Sequence, residues 1–355
     1  LRNLATKMAP RRLYAPAVSD DRLVTLEQIE AAREVIAGAV HRTPLFTSST
    51  AARVVEAATG VRIGDGRVYL KAEQLQKTGS FKPRGMVNKL ASLTDAERRP
   101  GIISFSAGNA AQGYAYAGAA LGVPVTVVMP EHAVPSKVAA CLGYGARVVL
   151  QGELMGDVVA TTERIRAEEG LTFCHPFDDP AVIAGHGTVG LELIDDLPEV
   201  DVVVVGVGGG GLISGVSAAV KERRPSARVY GVEPTTSDAM TRGLEAGEPV
   251  TVKPTSVADG LNAPFTGNVS LAMAQRYVDE VVLIDDATIL AGLRFGLERL
   301  KQSLEPAGAA GLAALLTGRI PVRAGERVCV ILSGGNVDMT CLGDFLAMAA
   351  PIADA

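Results

Sequence analysis

The chain has 355 residues, 48% of them apolar and 21% charged, with a formal net charge of −5. That is an ordinary soluble globular composition, with enough apolar material for one large domain or two modest lobes. Basic residues are spread along the chain without a tail or an aromatic-laced stripe, and no run of eighteen apolar residues occurs, so neither nucleic acid nor a membrane is an expected partner.

The opening stretch LRNLATKMAPRRLYAPAVSDD is basic but lacks the apolar core of a secretion signal. TLEQIEAAREVIAGAV, from Thr25 to Val40, has helical periodicity with an N-cap candidate at Thr25. GRVYLKAEQL reads as a strand entering a loop. Short β-branched runs then alternate with Ala-rich helical patterns: GIISFSA before NAAQGYAYAGAALG, PVTVVMP before SKVAACLGYG, and ARVVLQG before MGDVVATTERIRAEEG. Further on, VDVVVVGVGGGG leads into LISGVSAAVKERRP, RVYGVEP follows, and EVVLIDDATILAGLRFGLERL and RVCVILSGGN complete the series. Apolar strands alternating with longer helices predict an α/β fold with parallel sheets, whose ligands bind at the carboxyl ends of strands.

The four cysteines, Cys141, Cys174, Cys329 and Cys341, form no CxxC, and the last three lie in or beside apolar segments as buried free thiols would. A reducing, cytoplasmic compartment fits. His41, His132, His175 and His186 have no ligand spacing, so no transition-metal site is expected.

Three strand-end loops stand out. In VVVVGVGGGGLISG, Gly208, Gly209, Gly210 and Gly211 leave a strand and open a helix. Without Cβ atoms, several backbone N–H groups can converge on one anion, and the helix N-terminus adds partial positive charge, as in a phosphate cup. The bland alternative is a flexible turn that eases helix–sheet packing. A dinucleotide fingerprint is a weak third reading, with Glu233 near the position of its acidic residue. In SFSAGNAAQG, Ser106, Asn109 and the loop amides could hold a carboxylate, or merely cap a helix. In ILSGGN, Ser333 projects where a strand meets its loop. Lys82 joins them in KTGSFKPRG, hemmed by Phe81 and Pro83 with glycines at 79 and 85. A lone lysine is usually a surface charge, but a partly desolvated one has a lowered pKa and can attack a carbonyl. A phosphate cup with such a lysine suggests a pyridoxal phosphate site.

With HRTPL, KTGSFKPRG, SAGNAAQG, HPFDDPAVIAGHGTVGLEL, GGGGLISG, GVEP, ADGL, EPAGAAGLAAL and LSGGN in order from residue 41 to 336, the chain resembles the fold-type II pyridoxal-phosphate enzymes of the threonine/serine dehydratase and serine racemase family. The resemblance implies two open twisted α/β sheet lobes with helices on both faces. The large cofactor-binding lobe would comprise 1–100 and 179–355, with a small mobile lobe at 101–178. It implies that Lys82 forms the imine with the cofactor. Gly208, Gly209, Gly210, Gly211 and Leu212 would supply amides to its phosphate, Asn109 would bond the 3′-oxygen, Ser333 would face the pyridine nitrogen, and Phe81 would pack on the ring. Ser106, Ala107, Gly108, Asn109 and Ala110 would hold the substrate carboxylate.

The implied reaction is β-elimination from a β-hydroxy amino acid, L-threonine or L-serine, giving a 2-oxo acid and ammonia. Lys82 would take the Cα proton. A neutral Ser333 makes the ring a weak electron sink, which suits prompt loss of the β-hydroxyl, with the cofactor phosphate as proton donor. The alternatives are an amino-acid racemase and a dehydratase for 3-hydroxyaspartate or 3-phenylserine. Family racemases carry a second serine as the opposite-face base, where this chain has Ala107, so racemisation is expected to be weak or absent. Dehydratases usually have histidine where this chain has Ala110, which opens space beside the substrate. The racemase divalent-metal site needs an acid six residues after Glu233, but that residue is Ala239, with Asp238 one short. That site is expected to be weakened or lost, with a monovalent cation on carbonyls still possible. The short stretch after LSGGN leaves no room for a regulatory domain, and a homodimer or homotetramer is implied.

Overall fold

The computed structural model describes residues 23–153 and 155–352, so the basic opening stretch lies outside the described residues. In chain order the strands are β1 (Leu45–Ser48), β2 (Val68–Lys71), β3 (Ile102–Phe105), β4 (Val125–Met129), β5 (Arg147–Leu150), β6 (Thr172–Phe173), β7 (Val202–Gly206), β8 (Arg228–Pro234), β9 (Glu280–Ile284) and β10 (Val328–Ile331). They form a six-stranded sheet, β1-β2-β10-β7-β8-β9, and a four-stranded sheet, β5-β4-β3-β6. Every neighbour pair is parallel except the antiparallel edge pair β1–β2.

The inner strands β3, β4, β7 and β10 read as nearly unbroken apolar runs because both of their faces are covered. On β7, Val202 and Val204 join the core made with the helix Pro306–Leu316, while Val203 and Val205 join the core made with the helix Gly211–Arg223. The four-stranded sheet repeats the pattern. Ile102 packs with the helix Asn109–Leu121, and Ile103 packs with Val158 and Ile165 of the helix Met155–Glu169. Helices on both faces of two open sheets are the architecture the sequence resemblance implied.

Each sheet has one place where the chain reverses its direction of winding. From β7 the chain builds outward through β8 and β9, then returns to place β10 on the other flank of β7. From β3 it builds through β4 and β5, then returns to place β6 on the other flank of β3. Loops diverge at such points and leave a crevice at the carboxyl ends of the strands. The glycine run follows β7, Ser333 follows β10, and the 106–110 loop follows β3.

A buried cluster of charges fixes the segment that carries Lys82. Arg84 has Nε 2.8 Å from Glu73 Oε2 and Nη1 2.7 Å from Glu192 Oε1. Lys71 Nζ lies 2.5 Å from the other Glu192 oxygen and donates to the Thr43 carbonyl at 2.7 Å. Thr43 Oγ1 donates to Glu73 Oε1 at 2.5 Å. Burial opposes the charge on Arg84, yet Glu73 and Glu192 outweigh it and raise its pKa. Burial likewise opposes ionisation of Glu192, and its bonds to Arg84 overcome that and hold its pKa low. Arg84 and Glu192 are therefore held as an ion pair.

The helix Lys82–Ser92 also crosses the helix Pro180–Asp196 closely. A Cβ on Gly85 would sit 2.4 Å from the His186 ring, and one on Gly185 would sit 2.4 Å from the Arg84 carbonyl oxygen, so both positions need glycine.

Removing one member of a buried ion cluster strands its partners. Arg84→Met should therefore lower stability in urea unfolding by roughly 3–5 kcal/mol. A loss below roughly 1 kcal/mol, the scale of an exposed pair, would show that the cluster does not hold the fold together.

Candidate functional site

One cavity lies between the two sheets, at the carboxyl ends of their strands. Its walls include Phe81, Lys82, Ser106, Ala107, Gly108, Asn109, Ala110, the four glycines 208–211, Leu212 and Ser333. Every site residue inferred from sequence therefore meets there.

Lys82 opens its helix, with Phe81 at the N-cap and Pro83 inside the first turn, where a missing N–H costs nothing. The Phe81 amide donates to the Ser333 carbonyl at 3.1 Å, and Ser80 forms an isolated bridge with Gly334. The lysine turn is thus tied directly to the loop after β10. Lys82 Nζ donates to the Pro176 carbonyl at 3.1 Å, beyond the end of β6, and lies 5.2 Å from the Phe81 ring centroid. Desolvation pushes its pKa down to about 8, against the opposing pull of the Glu305 carboxylate. The lysine is thus far easier to deprotonate than a surface lysine.

The glycine run leaves a stretch of backbone without side chains at the start of a helix. Gly210 is left-handed, with φ of +92°, and a Cβ on Gly209 would lie 2.5 Å from the Phe177 ring. A side chain at 209 would collide with that ring. The helix ladder begins with the Ser214 amide on the Gly210 carbonyl at 3.0 Å, so the amides before it are the free donors of a helix N-terminus.

Asn109 is fixed by two partners. Its Nδ2 donates to Glu305 Oε1 at 2.6 Å, and its Oδ1 accepts from Asn336 Nδ2 at 2.8 Å. Asn336 in turn donates to the Thr78 carbonyl at 2.7 Å, with Thr78 itself strained at φ of 61°. One Asn109 N–H remains for a ligand. Ser106 Oγ accepts from the Gly108 amide at 3.1 Å, so that amide is already engaged and the hydroxyl proton is the group left to donate.

Sequence reasoning did not single out Glu305, Lys137, Asp259 or Phe177, all of which line the cavity. Glu305 is buried and its Oε2 has no partner. Burial raises its pKa to about 7, Lys137 being the main opposing charge. Its signal was an acid just before a proline at a helix start. His186 packs edge-on against Phe81 at 4.7 Å, and burial keeps its imidazole neutral by lowering its pKa well below the usual value.

Glu233 lies on β8, away from the cavity lining. Its carboxylate accepts from the Met240 amide at 2.8 Å, the Thr241 amide at 2.9 Å and Thr241 Oγ1 at 2.7 Å. Burial raises its pKa to about 7 despite those bonds. Asp238 pairs with Arg242 at 2.9 Å. Both acids therefore serve the start of the helix Ala239–Ala246. Among the described residues no cluster of three or more His, Cys, Asp or Glu is arranged for a metal. Cys141, Cys174 and Cys329 are buried free thiols, while Cys341 is only half-buried.

The glycine run, the low-pKa amine, the spare amide proton of Asn109 and the buried hydroxyl of Ser333 fit a phosphorylated pyridine aldehyde. The comparisons agree. A family model described as pyridoxal-phosphate dependent enzyme matches residues 36–334. An L-threonine ammonia-lyase of Thermotoga maritima is 44% identical over 322 residues, covering 90% of this chain and 77% of its own. A solved threonine deaminase from T.th. superposes with a TM-score of 0.79 at 39% identity, covering 89% of this chain and 99% of that one. Maize serine racemase gives 0.84 at 33% identity, covering 91% and 97%.

The lowered Lys82 pKa sets a pH dependence. Only the free amine attacks a carbonyl, so the rate at which visible absorbance develops on adding pyridoxal phosphate to stripped protein should climb with pH and level off above about 8. A rate still climbing towards the ordinary lysine value near 10.5 would contradict the desolvated setting. Lys82→Ala should abolish that absorbance while leaving the far-UV circular dichroism unchanged.

Proposed function

The chain belongs to the pyridoxal-phosphate-dependent enzyme family, and we propose that it is a threonine ammonia-lyase, converting L-threonine, and L-serine as a second substrate, to a 2-oxo acid and ammonia. The observation that carries this reading is the low-pKa Lys82 facing the glycine run and an Asn109 amide locked in one orientation. Bound pyridoxal phosphate supplies an electron sink that accepts the electron pair left when the Cα proton departs.

This chain's own residues do the rest. Gly208 to Leu212 would hold the phosphate with backbone amides and the helix N-terminus. Asn109 would offer its spare N–H to the ring oxygen, with Glu305 and Asn336 preventing the amide from rotating. Ser333 would offer the ring nitrogen a neutral hydroxyl and no full charge, which suits prompt loss of the β-hydroxyl. Ser106 Oγ and the amides of Ala107, Asn109 and Ala110 would orient the substrate carboxylate, and the Lys82 amine would take the Cα proton. The β-hydroxyl leaves with a proton as water. One water is consumed when the resulting enamine hydrolyses, so threonine yields 2-oxobutyrate and ammonia with atoms balanced.

Ala107 supports elimination over racemisation, since a methyl cannot deliver a proton to the opposite face of Cα. Ala110 lines the cavity where a larger residue would narrow the substrate pocket. The reading carries with it a small lobe, residues 101–178, that closes on substrate, and a cytoplasmic homodimer or homotetramer.

Purified, cofactor-loaded protein should form 2-oxobutyrate from L-threonine faster than it forms 2-oxo acids from L-serine, D-serine, 3-hydroxyaspartate or 3-phenylserine. Faster turnover of one of the last two would keep the mechanism and replace the substrate. Formation of D-serine from L-serine should be undetectable and should appear in Ala107→Ser. Unchanged racemisation in that variant would mean that Ala107 does not decide the outcome.

A further inference from the structure

The cavity holds a second lysine, and this one is buried. Lys137 stands in the first turn of the helix Pro135–Gly143, which follows β4 in the four-stranded sheet. Its ammonium pairs with the Asp259 carboxylate, 122 residues away, in the turn Asp259–Leu261 packed against the six-stranded sheet's core. The pair therefore spans the two sheets across the cavity that both residues line.

Two features make this more than a strut. The pair is asymmetric: the Lys137 side chain is 5% exposed and the Asp259 side chain 49% exposed. Asp259 can return to water at little cost, whereas Lys137 needs an anion wherever it stays buried. The ammonium also borders the 106–110 loop, since a Cβ on Gly108 would lie 3.7 Å from Lys137 Nζ. Among the described residues no arginine lines the cavity, and Lys82 is engaged with the cofactor in the reading above. That leaves Lys137 as the lining cation available to an anionic substrate group.

We infer that Lys137 is a substrate-binding residue that exchanges Asp259 for the amino acid's α-carboxylate when that carboxylate docks on the 106–110 loop. This rests on the proposed reading only in placing an amino-acid carboxylate on that loop. Ser106 and the amides supply direction, and Lys137 supplies the charge. The ligand class is an α-amino acid with a free carboxylate, and the corresponding amides are excluded from this contact.

The test is saturation of the visible spectral change of cofactor-loaded protein by L-threonine, L-threoninamide, L-valine and L-valinamide. Valine has the shape of threonine and no hydroxyl to lose. In Lys137→Met, threonine and valine should bind at least about tenfold more weakly, the scale of a lost hydrogen bond to a charged group, while both amides bind as before. Lys137→Arg should recover most of the loss. Equal losses for acids and amides would reduce Lys137 to a strut, and no loss for the acids would remove it from the site. Asp259→Asn gives an independent arm should Lys137→Met fail to load cofactor. Removing the competing anion should tighten the acids and not the amides, and weaker acid binding would overturn the exchange. If wild type binds valine in preference to valinamide through Lys137 but does not consume threonine, the ammonia-lyase reading fails and this inference stands.

Discussion

Arg84 is fully buried, held by Glu73 on one side and Glu192 on the other, with Lys71 on the second oxygen of Glu192. Burying four charges is expensive, and an apolar replacement of the same volume is often at least as stable. What the cluster provides is geometry. It joins β2, the turn after it, the start of the helix that carries Lys82, and the long helix Pro180–Asp196. Arg84 lies two residues beyond Lys82, so the helix cannot rotate or slide without breaking bidentate bonds. Lys82 is placed by a buried electrostatic lock on one side and by the Phe81–Ser333 backbone bond on the other.

From that fixed point the site is assembled by topology. Two parallel sheets each reverse their winding once, and the reversal points face a common cavity. Elements far apart in sequence thereby deliver short polar loops to one place. The electrostatics follow from the walls. Desolvation lowers Lys82 and raises Glu305, so both groups titrate within a unit or so of neutrality, where proton transfer is least costly. Asn109 sits beside Glu305 with both ends of its amide assigned, which turns a flexible side chain into a directed donor.

The parts of the site that were legible in the sequence share one property: each is local. A valine run followed by four glycines announces a strand, a cup and a helix within one short segment. Lys82 between Phe81 and Pro83, or Ser333 after VCVIL, can be placed at a strand end or helix start from its neighbours alone. The parts that were not legible are pairwise and distant. Lys71 meets Glu192 across 121 residues and Arg84 meets Glu192 across 108, and nothing near either end distinguishes these charges from surface ones. Lys137 reads as the polar start of an amphipathic helix until the fold brings Asp259 to it. The edge strand β1 was missed for a different reason: Leu45–Ser48 has a single buried residue and is half polar, so it lacks the apolar run that marked the parallel strands. Glu233 shows the converse, a residue noticed for a metal role whose oxygens are engaged with the amides of a neighbouring helix.

The central claim is that Lys82 is the amine that holds the cofactor, placed there by the buried lock behind it. Borohydride reduction of the cofactor-loaded protein, followed by peptide mass spectrometry, reads this directly, because the cavity offers two lysines, Lys82 and Lys137. The pyridoxyl phosphate mass is expected on the peptide containing Lys82, with none on the peptide containing Lys137. Label on Lys137, or spread over surface lysines, would contradict the claim.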